Sequence, residues 1–125
     1  MTLPAGGYAC QKSTDDQAAQ VYVAWLRAPE SVRSRIIGYV WDSTAPHGTI
    51  CKSQKTSTVT YIVLRSGSDE LGKWITERRN VVEDFRTIYG EAPDDNPSAL
   101  SLSIDSDDTR SSADSLIGPT VFTRP

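Results

Sequence analysis

A chain of 125 residues with 13 basic and 16 acidic side chains, net charge -3, is the size of one domain and can bury a core without metal or disulfide staples. Its basic residues are scattered apart from Arg78-Arg79, which argues against nucleic acid as a partner. Apolar runs such as Tyr61-Ile-Val-Leu64 are strand-sized, and Met1-Thr-Leu-Pro-Ala-Gly-Gly lacks both a basic and an apolar leader region, so neither a membrane span nor a signal peptide is predicted.

Residues 7–13 are a candidate first strand. Over 17–26 the residues Ala19, Val21, Val23 and Trp25 alternate onto one face, and a tryptophan that shares its face with two valines is expected to be buried. Residues 35–41 and 58–66 are rich in Ile, Val, Tyr and Thr, as strands prefer. Residues 73–79 fit a further strand or the first turns of a helix; strand is preferred, because a cleaner helix start follows at Asn80. From that N-cap, Glu83 occupies the third helical position, where its side chain reaches back to the cap N–H, and Gly90 falls just past the last apolar residue. The spacing predicts a helix from Val81 to Tyr89 that packs through Val81, Val82, Phe85, Ile88 and Tyr89 and turns Glu83, Asp84, Arg86 and Thr87 to water.

Glu91-Ala-Pro-Asp-Asp-Asn-Pro97 breaks both helix and strand and reads as a surface loop. The alternation of Ser98-Ala-Leu-Ser-Leu-Ser-Ile104 then predicts a half-buried strand running into an acidic turn with Asp105, Asp107, Asp108 and Thr109. A last strand over 115–123 carries Gly118-Pro119, which suits an edge or a bulge. Strands outnumber helices and no strand–helix alternation calls for a parallel sheet, so the predicted fold is mainly β: one domain over 1–125, an antiparallel β-sandwich with one short amphipathic helix.

The acidic turn is the one place where carboxylates converge in sequence. Asp105, Asp107 and Asp108, joined by Asp15 and Asp16, offer the hard oxygen ligands that Ca²⁺ takes. A helix–loop–helix calcium loop is excluded, since Arg110 stands where glycine is needed and Leu116 where the bidentate Glu belongs. The favoured reading is a turn capped by its own Asp and Ser side chains. Trp41 and Trp74 lie at strand ends beside polar residues and, with Arg65, are the candidates for a platform that stacks a sugar.

His47, in Ala45-Pro-His-Gly48, reads as an exposed turn residue, and with Cys10 and Cys51 it lacks the close cysteine pairing of a zinc site. Cys10 and Cys51 fit equally one disulfide or two buried thiols. Arg65-Ser-Gly-Ser68 is not a nucleophile elbow and no glycine-rich phosphate loop occurs. Asp15, Asp16, Glu77 and Asp105 contain carboxylates enough for glycoside hydrolysis, but the separation that decides that chemistry is not a sequence property.

Five segments in order, Asp15-Asp-Gln-Ala-Ala-Gln-Val-Tyr-Val23, Gly38-Tyr-Val-Trp-Asp42, Val63-Leu-Arg-Ser-Gly67, Trp74-Ile-Thr-Glu-Arg-Arg-Asn-Val81 with Asp84-Phe85, and Ile104-Asp-Ser-Asp-Asp-Thr109, resemble a bacterial family. That family is the domain of unknown function number three thousand and forty-seven, and the resemblance covers about residues 15–122. It implies a β-rich, jelly-roll-like domain of Gram-negative bacteria, often exported to the periplasm or secreted, with no catalytic residues to carry over. Two departures stand out. Members of the family have a longer region before the Asp-Asp segment, which makes this chain a fragment, a short variant, or one whose open sheet edge is covered by neighbouring copies. They also have an aspartate in a Tyr-Gly-Asp-like run where this chain has Ile117-Gly-Pro-Thr120, which weakens a cation site. Three functions follow in order of preference: a noncatalytic module binding a glycan or cell-envelope component, a structural protein that self-assembles into a homo-oligomer through sheet edges, and a metal-assisted enzyme.

Overall fold

The computed structural model describes residues 17–27, 33–42, 45–53, 58–67 and 77–103. The described part is mainly β with one helix: β1 (Gln17–Trp25), β2 (Arg35–Asp42), β3 (Ile50–Lys52), β4 (Val59–Ser66), α1 (Val81–Tyr89) and β5 (Ala99–Ser103). No described helix is long and apolar enough to cross a membrane.

The strands form one sheet in the order β3-β4-β2-β1-β5. β1 pairs antiparallel with both β2 and β5, and β3 pairs antiparallel with β4, but β2 and β4 run parallel, with Ile36 opposite Val59 and Tyr39 opposite Ile62. The sheet is therefore mixed, which corrects the purely antiparallel expectation. Its physical cause lies between β2 and β4: the chain leaves β2, lays the short β3 at the sheet edge, and returns through β4 between them. A parallel pair is buried on both faces, and β2 is indeed buried from Ile37 through Asp42. The nearly unbroken apolar runs of β2 and β4 are the sequence trace of that position.

Each face of the sheet carries a core. On one, Val23, Trp25, Ile37, Tyr39 and Ile62 pack with Phe85 of α1. On the other, Val40, Val59, Tyr61 and Val63 pack with Ala45, joined by Tyr22, Ile36 and Cys51. Gly38 sits on this second face between two tyrosines, opposite Tyr22 on one side and Tyr61 on the other. A Cβ there would lie 2.8 Å from a Tyr61 ring carbon and 3.0 Å from one of Tyr22, so only glycine lets the two rings close over the strand.

The helix has the expected bounds. Asn80 accepts from the backbone N–H groups of Val82 and Glu83 at 3.2 Å each, and Gly90 closes the helix in the left-handed region, φ 79°, its N–H donating to the Arg86 carbonyl. Glu83 does not reach back to the cap; its carboxylate accepts from Arg86. Phe85 is the buried residue of the helix, and Val82, expected to pack, is exposed.

β5 also departs from expectation. Leu100 and Leu102 stand opposite Val23 and Val21, on the face that α1 covers, yet are 38% and 52% exposed. The helix lies over the central strands and does not extend to this one. Of the strand expected over 73–79, residues 77–79 have no regular structure and the remainder lies outside the described residues. The strands expected over 7–13 and 115–123 also lie outside them.

Candidate functional site

Beside the C-terminal half of α1 the helix-bearing face of the sheet is left uncovered toward β3 and β4, and an open cleft of about 950 Å³ results. Its floor includes Thr58 and Thr60, both buried, and Ile50 and Lys52 of β3. Thr87, Ile88 and Tyr89 of the helix form one wall, and Glu91 to Asp94 of the following loop close the end. Arg27, Arg33 and Arg35, from the facing ends of β1 and β2, complete it. Four basic against two acidic side chains line the cleft, on a chain whose net charge is -3. These cations are far apart in sequence; the topology collects them.

Two of the four are held in place. The Arg35 guanidinium carbon lies 4.6 Å from the centre of the Tyr89 ring and 5.5 Å from that of Phe85, while its Nη1 donates to Glu91 at 3.1 Å. Phe85 in turn meets Trp25 edge-on at 4.8 Å and Tyr89 at 4.6 Å. Arg27 pairs with Asp95 at 3.1 Å, and the Trp25 indole N–H donates to the Asp95 carbonyl at 2.9 Å. These contacts tie the loop after the helix to the sheet and fix the cleft's end. Arg33 and Lys52 are exposed and carry no side-chain partner among the described residues. Burial pushes the Tyr89 phenol above the usual tyrosine range, against the hydrogen bonds of Thr60 and the Ile36 backbone and the charge of Arg35.

Below the helix's first turn, the Tyr39 hydroxyl donates to Asp84 Oδ2 at 2.6 Å, and Arg79 binds both oxygens of the same carboxylate at 3.1 and 2.8 Å. Burial, then the hydrogen bond and charge of Asp84, hold the Tyr39 phenol far above the usual range in spite of Arg79. Asp84, expected to face water, instead pins α1 to the sheet. Sequence reasoning missed it because its partner lies 45 positions away.

The sequence-derived candidates fall elsewhere. Trp41 and Arg65 do come together, opposite each other in β2 and β4, but at the far end of these strands from Arg35 and Thr58. Trp41 is 9% exposed and its indole N–H donates to the Gly67 carbonyl at 3.0 Å. The expectation that it reaches the surface is corrected: its neighbour Asp42 is itself fully buried, accepting the Ala45 N–H at 2.7 Å, so the polar neighbour does not mark an exposed strand end. Arg65 pairs with Glu77. Trp25 is buried, 4% exposed, as its face predicts.

Trp74 lies outside the described residues, as do Asp15, Asp16, Asp105, Asp107 and Asp108 of the proposed Ca²⁺ site. Among the described residues no group of three or more His, Cys, Asp and Glu is placed to hold a metal ion. His47 is exposed in a turn. Cys51, on β3 at the cleft, is disulfide-bonded; the chain's other cysteine, Cys10, lies outside the described residues.

A family model described as protein of unknown function, DUF3047, matches residues 2–121. This chain belongs to the DUF3047 family. No curated protein and no solved structure shows a significant match to it. What a DUF3047 chain offers chemically thus rests on its own geometry: a polar, basic cleft whose helix wall and loop end are braced by Phe85, Arg35 and Asp84.

Proposed function

We propose that this DUF3047 chain is a noncatalytic module that binds a glycan or cell-envelope component in the cleft between α1 and β3–β4. The cleft is the observation that carries the reading. Its volume lies in the range of small-ligand sites, while its lining of threonine hydroxyls and basic groups suits the hydroxyl-rich surface of a saccharide better than an apolar ligand. The disulfide at Cys51 supports an oxidising compartment, periplasmic or extracellular, where such ligands occur. The aromatic platform at Trp41 gives way in this reading to a site at the opposite end of the sheet.

Thr87→Trp tests it. Thr87 is exposed and lines the cleft, and its hydroxyl only bonds back to the Glu83 carbonyl within the helix, so an indole there fills the cleft without disturbing the core. On an array of bacterial-envelope oligosaccharides the wild-type protein is expected to retain ligands that the variant does not. Equal retention by a folded Thr87→Trp protein would place the site elsewhere. A second reading, self-assembly through sheet edges, is favoured by the exposed Leu100 and Leu102 on β5, which has one strand partner among the described residues. Light scattering that shows a monomer at all concentrations would end it.

A further inference from the structure

Building on the binding-module reading, we infer that the ligand of this cleft is an acidic saccharide, recognised through its carboxylates by Arg33 and Lys52. Two of the four cations that line the cleft are already engaged. Arg27 and Arg35 are neutralised by Asp95 and Glu91, and Arg35 is also stacked on Tyr89. Arg33 and Lys52 project from the cleft lining without a partner among the described residues. Two cations lining one cleft of an acidic protein, neither paired among the described residues, raise the local concentration of anions and disfavour neutral competitors.

The surroundings narrow the class of anion. Thr87 on the wall is exposed, and its hydroxyl oxygen, while donating to the Glu83 carbonyl, can still accept from a sugar hydroxyl. Single-stranded nucleic acid is disfavoured because base stacking needs an open ring face, whereas Trp25 and Phe85 in the lining are 4% and 3% exposed and Tyr89 is covered by Arg35. Arg33 comes from the chain just before β2 and Lys52 from the edge strand β3, so the two charges reach the cleft from separate elements. That arrangement suits a chain of sugars with repeated carboxylates better than a single small ion.

The test uses tetragalacturonate and its fully methyl-esterified form, which share a backbone and differ in charge, titrated calorimetrically into the whole protein. The acid is expected to bind, to weaken as salt rises from about 50 to about 300 mM, and to bind roughly tenfold or more tightly than the ester. Lys52→Gln and Arg33→Gln are each expected to weaken the acid by about threefold or more, leaving the ester unaffected. Both side chains are exposed, so unchanged melting temperatures are expected to show that the fold survives. Arg86→Gln, on α1 but outside the cleft lining, is expected to change nothing. If acid and ester bind alike, the charge inference is overturned and the binding module stands. A protein that takes neither overturns both. If a single-stranded oligonucleotide binds as tightly as the acid and is displaced by Thr87→Trp, the saccharide assignment fails.

Discussion

Replacing Asp84 by alanine removes the acceptor of a phenol that is 7% exposed and the partner of Arg79 at the same time. An orphaned buried hydroxyl costs about 1–3 kcal/mol. The Arg79 ion pair adds at most about 0.5 kcal/mol, because that guanidinium is more than a third exposed and screened by water. Asp84→Ala is therefore expected to destabilise by about 1–3.5 kcal/mol. Tyr39→Phe should cost less, about 1 kcal/mol, since the carboxylate keeps both bonds from Arg79 and only one charge-assisted hydrogen bond is lost. In the double variant no hydroxyl is left without an acceptor, so the loss should fall short of the sum by about 1–2 kcal/mol. Urea unfolding of the four proteins, with m-values checked for constancy, measures this coupling. Additivity within about 0.4 kcal/mol would show that hydroxyl and carboxylate are not bonded and that the helix is not anchored there.

Gly38→Ala should destabilise by about 1–3 kcal/mol, read as a lower urea midpoint, because the added methyl meets two rigid rings; a neutral result would mean that Tyr22 and Tyr61 do not close over this position. Tyr39 and Tyr89 hold their protons more tightly folded than unfolded. Their contribution is whole below the unfolded value near pH 10 and is lost as pH rises through the higher folded values, so the urea midpoint should fall above about pH 10 and do so less in the Tyr39→Phe, Tyr89→Phe protein; a midpoint that holds to about pH 11.5 contradicts this. Should Cys51 pair with Cys10, the loop of roughly 40 residues makes the bond worth up to about 4 kcal/mol by chain entropy, and dithiothreitol should lower the melting temperature; a non-reducing peptide map without a Cys10–Cys51 peptide would refute the pairing.

How legible these features were depended on the distance over which each is decided. The helix was readable to both caps, because Asn80 and Gly90 act on backbone groups within one turn. Four of the five described strands, β1, β2, β4 and β5, were readable from residue type and alternation, but the order of the sheet was not, since the parallel match of β2 to β4 depends on where β3 inserts, and a three-residue strand leaves almost no periodic signal. Burial on both faces was nonetheless written in the unbroken runs of β2 and β4, which an alternation search reads only as strand. Trp41 was misplaced by its neighbour, a polar Asp42 that is in fact buried and bonded to Ala45. The cleft itself was invisible: Arg27, Arg33, Arg35 and Lys52 read as scattered charge until the pairing of β1 with β2 and of β3 with β4 brings them together. Family membership was carried by the order of several weak segments, and the match over 2–121 agrees with it.

The most direct test of the cleft as the ligand site is an amide chemical-shift map of the ¹⁵N-labelled protein titrated with tetragalacturonate and, separately, with neutral chitotetraose. With tetragalacturonate, shifts centred on Arg33, Lys52, Thr60, Thr87, Ile88 and Tyr89 are expected. Shifts centred instead on Trp41, Ala45 and Arg65, at the other end of β2 and β4, would contradict the account.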